Sequence, residues 1–161
     1  TLVELMITVA VMAILAAIAT PAMQGLINAN RLAGAASELE STLQIARSEA
    51  VRRNARVTVC ASTDGTTCAA TTAWTRWIVH GMDNTASPPV DDVIRDSAPA
   101  ASVQISGPAA GILFRPSGLI DAAAAVTACM PTTEPAQNRR VVTVMISGAL
   151  STAKVNGGGT C

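Results

Sequence analysis

The side chains through which this 161-residue chain could do chemistry are few: four cysteines, a single histidine, an adjacent aspartate pair and an adjacent arginine pair. Cys60, Cys68, Cys129 and Cys161 are even in number and have no histidine close by in sequence. Neither successive pair has the separation of about two to four residues found in a metal knuckle, so no metal site is expected. Disulfides are expected instead. Three connectivities are possible; Cys60 with Cys68 and Cys129 with Cys161 is favoured, because both pairs close loops rich in Thr, Gly and Pro. That pairing places the domain in an oxidising compartment.

No catalytic constellation follows from the other candidates. His80 falls on an expected strand with no nucleophile or carboxylate near it in sequence, which predicts a structural or surface role. Asp91 and Asp92 are expected as solvated loop charges, since one adjacent pair is not an oxygen cage for calcium. Gly157, Gly158 and Gly159 precede neither a helix nor a Lys-Ser/Thr pair, so they are expected to give a turn room to return Cys161 rather than to cradle phosphate. Arg139 and Arg140 could make two phosphate contacts, too few for useful affinity at physiological salt. An enzyme is not expected, and neither is a cofactor.

Bulk composition agrees. Eleven basic residues balance eleven acidic ones, so the chain has no global field to draw it onto nucleic acid. With one Phe, two Trp and no Tyr it also lacks stacking platforms, although half of its residues are hydrophobic. Its length suits one anchor helix and one modest domain.

The elements that must position these residues begin with the run Leu5 to Ala19, which carries no charge and one hydroxyl, Thr8. A helix of about twenty such residues covers a bilayer core, so residues 1–23 read as a membrane span. No basic residue precedes the run; the first cation is Arg31. Glu4 lies at its edge, where a carboxylate is costly unless it reaches the interface or a cation, although an acid also suits a helix start. From residue 24 to 54 the helix turns amphipathic: Leu32, Ala36, Leu39, Leu43, Ala46 and Ala50 recur at steps of three and four.

Residues 55–161 read as a β-domain. Short β-branched runs are expected as strands at Arg56 to Cys60, Trp77 to His80, Val93 to Ile94, Ser102 to Ile105, Gly111 to Phe114 and Val141 to Ile146, with turns such as Asp64-Gly65 and Ser117-Gly118 between them. Alanine-rich Asp121 to Ala128 is ambiguous between helix and surface loop. The expected fold is α+β, a long N-terminal helix packed on a small antiparallel sheet.

The string TLVELMITVAVMAILAAIATPAM resembles the mature amino terminus of a type IV pilin or type II secretion pseudopilin. Thr1, Leu2 and Glu4 match that motif; its usual terminal Phe is missing here, which implies that the natural chain starts one residue earlier. The resemblance implies that Glu4 pairs with the terminal ammonium of a neighbouring subunit during assembly, and that Pro21 is a helix-breaking proline, with a kink or local melting. Downstream, the order ARSEAVRRN helix end, VTVC strand, Asp-Gly turn and second Cys, then W…W-I-V, V-I-R and I-L-F…G is similar to the FimU/FimT/GspH group of minor pilins and pseudopilins. What this implies is a structural subunit of a pilus priming or tip complex, supporting adhesion or twitching motility. Its implied partners are other minor and major pilins, an inner-membrane assembly platform and the prepilin peptidase. Its implied location is the inner membrane, with a periplasmic head, and the fibre afterwards. A GspH-type secretion pseudopilin and a FimT-type DNA-binding pilin are the alternatives. The DNA-binding members carry Gly-Arg-x-Arg where this chain reads Gly148-Ala149-Leu150-Ser151, so nucleic acid is an unlikely partner.

Overall fold

The computed structural model describes residues 1–84 and 87–161; for 18–22, inside the helix, nothing is described of the side chains. One helix, α1 (Leu2–Arg53), precedes eight strands. In its second half the stripe read from the three- and four-residue spacing is the buried one: Leu32, Ala36, Leu39, Leu43, Ala46 and Ala50 are all at 3% exposure or less. Burying each leucine contributes about 1.5–3 kcal/mol, and the intervening alanines let backbones approach closely. The helix stops at Asn54, whose left-handed φ of 47° and N–H bonds to the Ala50 and Val51 carbonyls close the last turn. Arg52 and Arg53 lie at the negative end of the helix dipole.

The β-domain is two four-stranded antiparallel sheets where one was expected. The first has the order β3-β2-β1-β5, built from β1 (Val57–Ala61), β2 (Trp77–Asp83), β3 (Val90–Ser97) and β5 (Ile112–Phe114). The second has the order β4-β6-β7-β8, built from β4 (Gln104–Ser106), β6 (Ala124–Cys129), β7 (Arg139–Val144) and β8 (Leu150–Val155). α1 lies across both, touching β1, β2 and β5 of one and β6 and β7 of the other. Two local readings change. The alanine tract becomes β6, because Val126 and Ala128 are buried between β4 and β7, and that packing overrides alanine's helical preference. Leu150–Val155, which has no strong β signal, pairs along all of β7 as an exposed edge, with Lys154 among its outward residues.

All three aromatic residues, Trp74, Trp77 and Phe114, are fully buried. Trp74 lies flat enough against Gly107 that a Cβ there would stand 2.6 Å from its Cε2, so only glycine fits. Around these rings and the α1 leucines the core is filled by β-branched strand residues, Val57, Val59, Val79, Val126, Val142 and Ile112 among them, with alanines where backbones approach. Replacing Leu39, 1% exposed, by Ala should destabilise the domain by about 2–5 kcal/mol, whereas exposed Ser41→Ala should change it by less than about 0.5 kcal/mol, measured by chemical denaturation of the full chain in micelles.

Candidate functional site

The first half of α1 has nothing packed on it. Ten large apolar side chains between Leu2 and Leu15 are each half or more exposed, from Val11 at 50% to Leu2 at 75%. At about 1.5–3 kcal/mol per covered side chain, leaving them in water forgoes roughly 15–30 kcal/mol, so lipid or other chains must cover this helix. Its one hydroxyl is satisfied locally, Thr8 Oγ1 donating to the Leu5 carbonyl at 2.9 Å. Among the described residues no helix is long and apolar enough to cross a membrane; the apolar run continues into 18–22, which that statement does not cover. The helix meets the head near Asn28, whose side-chain amide donates to the Glu134 carbonyl at 2.9 Å.

Glu4 is the one acid of this exposed half. Its carboxylate accepts from the Thr1 amino group at 2.5 Å and from the Thr1 hydroxyl at 3.1 Å, with both residues mostly exposed. In water such a pair contributes little. In an apolar surround either charge alone would be strongly disfavoured, so the carboxylate must keep a cationic partner there. Pro21 lies outside the described side chains.

At the other end of α1, ion pairs tie the last turn to the first sheet. Glu49 accepts from Arg53 at 2.8 Å and Arg52 at 2.5 Å, and Arg53 reaches across to Asp92 on β3 at 3.1 Å. The hydrogen bond from Arg52, helped by Arg53, holds the Glu49 carboxyl down at about 2 against the opposing effect of burial. Asp91 and Asp92 are thus strand residues with partners rather than loop charges: Asp92 faces Arg53, and Asp91 faces His80 Nδ1 at 3.1 Å. His80 Nε2 in turn lies 3.0 Å from Cys68 Sγ. Sequence reasoning missed this grouping because its members come from two strands and a loop, and the irregular pairing between Val79 and His80 breaks the alternation that would have flagged a shared face.

The structure joins Cys60 to Cys68 and Cys129 to Cys161, with Cα separations of 5.6 and 5.8 Å. The second bridge brings the glycine-bearing tail back to β6, where Arg139 Nη2 and Asn138 Nδ2 each donate to the Thr160 carbonyl at 3.1 Å. Arg140 is buried, its Nη1 donating to the Gln137 and Arg139 carbonyls at 2.7 and 3.0 Å, and burial pushes its pKa down. The arginine pair is thus turned toward its own backbone rather than held out as two free cations. The stretch Gly148 to Ser151 forms a turn and the start of β8, with Arg47 donating to the Ser147 and Gly148 carbonyls at 3.2 Å. A cleft of about 600 Å³ opens beside β4, lined in part by Thr72, Gln104, Thr127 and Arg139.

Three comparisons bear on this arrangement. A family model described as Type II transport protein GspH matches residues 35–149. Among solved structures, the type IV minor pilin FimU of Pseudomonas aeruginosa superposes with a TM-score of 0.58 at 23% identity, over 77% of this chain and 89% of that chain. The minor pseudopilin EpsH from the type 2 secretion system of Vibrio cholerae gives 0.56 at 13% identity, over 77% and 97%. At such identities the two structures share a fold with this chain. No curated protein sequence gave a match.

The Glu49 cluster sets an acid-side limit on the head. Because the folded carboxyl titrates near 2, below its usual 4.5, its contribution is full above about pH 4.5 and is lost as pH falls toward 2. Glu49→Gln should therefore be less stable than the parent by about 2 kcal/mol at pH 7, after allowance for the exposed Arg52, and the two should converge near pH 2 in denaturant titrations.

Proposed function

The chain belongs to the GspH family of type II transport proteins, and on that premise we propose that it is a structural minor pilin that joins a type IV pilus in its priming or tip complex. The observation that carries this reading is the apolar half-helix, exposed on all sides and tipped by Glu4, projecting from a disulfide-braced head. In this reading residues 1–23 sit in the inner membrane before assembly and residues 24–54 pack on the head. Residues 55–161 are the periplasmic domain that meets neighbouring pilins. The prepilin peptidase and an inner-membrane assembly platform are the partners of maturation and polymerisation. The subunit contributes surface and register, not catalysis.

Glu4 then acts as a register pin. Once the helix is transferred from lipid to a bundle of like helices, its carboxylate pairs with the terminal ammonium of a neighbour, and a shift along the bundle would leave both charges unpaired. Pro21 supplies a point where the helix adapts to the fibre. The motif order after Asn54 is common to the minor pilins and the pseudopilins, and the pilus reading draws its support from the fold shared with FimU. The pseudopilin reading is favoured by the matched family description and by the fold shared with EpsH. Deleting the gene separates them: loss of piliation and twitching supports the first, and loss of exoprotein secretion the second. Arg140's burial weighs against DNA binding by this face, which a salt-dependent gel shift would test.

Glu4→Ala should leave the amount in the membrane fraction unchanged while the amount in sheared fibres falls roughly tenfold or more, one factor of ten being ~1.4 kcal/mol of assembly free energy. Normal incorporation would remove the register-pin role.

A further inference from the structure

The grouping of Asp91, His80 and Cys68 is not used by the proposed assembly role of the helix, and its chemistry points elsewhere. We propose that His80 and Asp91 are a built-in acid–base pair that makes Cys68 the entry thiol when the Cys60–Cys68 bond is formed by exchange with a donor disulfide. The proposal does not depend on which fibre the subunit serves.

The strand registers place the group. His80 stands opposite Thr58 on β1 and Val93 on β3, and Asp91, opposite Met82, is its diagonal neighbour on the same face. Cys60, two residues from Thr58, shares that face, which is turned away from α1. The irregularity between Val79 and His80 in the pairing with β3 adjusts the local aim. The loop then carries Cys68 over this face until its Sγ lies 3.0 Å from His80 Nε2.

That loop is held without help from sulfur. Asp64 Oδ1 accepts from the N–H groups of Thr66 and Thr67 at 2.8 Å, Ser62 N–H donates to the Arg76 carbonyl at 2.9 Å, and Ala69 N–H donates to the Ala61 carbonyl at 2.8 Å. In this proposal these bonds keep Cys68 beside His80 before the disulfide closes. Access decides which sulfur reacts first: Cys60 is 1% exposed, whereas Cys68 lies at the surface.

The sequence of steps follows. The Cys68 thiol passes its proton to His80 Nε2, and Asp91 accepts from Nδ1–H and steadies the imidazolium. The thiolate attacks one sulfur of the donor, R–S–S–R; that bond breaks, a mixed disulfide forms on Cys68, and RS⁻ leaves and takes a proton from solvent. Cys60 loses its proton to solvent and attacks Cys68 Sγ, and the second RS⁻ leaves with the proton from His80. Two thiols are oxidised and one donor disulfide is reduced to two RSH. A thiolate beside an imidazolium has its pKa lowered from about 8.5. The thiolate fraction at pH 6 rises accordingly, and the lower nucleophilicity returns about half of that gain on a logarithmic scale, leaving a net acceleration on the order of tenfold.

The surrounding charges leave this pair to act alone. Asp92 is turned to Arg53, Asp64 is bound within its own loop, and the β1 residue opposite His80 is the uncharged Thr58. Among the described residues His80 forms its ion pair with Asp91.

The test uses the full chain in micelles, reduced with dithiothreitol, desalted and reoxidised with glutathione disulfide, with each bond followed by alkylation quench and peptide mass spectrometry. At pH 6, His80→Gln should close Cys60–Cys68 about tenfold more slowly than the parent, and Asp91→Asn should slow it less. The gap should shrink toward pH 9, where the thiol ionises unaided, and Cys129–Cys161 should close at the parental rate in every variant. Equal rates and equal pH profiles for the parent and His80→Gln would overturn the proposal. So would parallel slowing of both disulfides, which would make His80 a folding residue only.

Discussion

An α-helix that is apolar on every side cannot rest in water, and the rest of this molecule is arranged around that constraint. From Leu2 to Leu15 the chain offers the solvent a continuous apolar surface, while from Leu32 to Ala50 the same helix offers one stripe to a folded head. The change happens inside a single element, without a loop. A cover for the first half is therefore obligatory, and lipid and a bundle of like helices are equivalent in the hydrophobic term. What distinguishes them is polarity. A lone carboxylate at the tip has little preference in water and a strong one in an apolar medium, which is why the proposed assembly gives Glu4 the task of telling a correct neighbour from an incorrect one.

The head has to be rigid while poor in large side chains. Three buried rings, three leucines of α1 and a larger set of valines and isoleucines fill it, and alanines and glycines bring backbones close around them, as at Gly107 against Trp74. Covalent and ionic braces reinforce the places where hydrophobic burial is thin. The Cys60–Cys68 bridge holds the loop over the outer face of the first sheet, Cys129–Cys161 holds the tail to β6, and Glu49 with Arg53 and Asp92 joins the end of α1 to β3. The end of α1 is thus tied to the first sheet by ion pairs and lies against both sheets along its apolar stripe.

How much of this was legible depends on the range of each interaction. The stripe from Leu32 to Ala50 was readable because helical period and burial are local, and the β-branched runs at Val57 and Trp77 likewise announced strands. The division into two sheets was not, since which strand pairs with which is set by contacts far apart in sequence. Asp121 to Ala128 carried helix-forming residues, yet its neighbours β4 and β7 made it a strand. Leu150 to Val155 carries no alternation because it is an edge strand exposed at every position after Leu150. The group around His80 was invisible for a related reason: its partners are 11 and 12 residues away and meet only through register. The arginine pair looked like two exposed cations, but alternation along β7 turned Arg140 inward.

One helix divided between two environments is the feature on which the other parts of the molecule depend. Single cysteines at Ile14 and at Ser41, introduced while the four native cysteines are paired, would report this in native membranes through their reaction with a membrane-impermeant maleimide. Ile14→Cys should stay unlabelled until detergent is added, and Ser41→Cys should label at once. Equal labelling of the two in intact membranes would contradict the account.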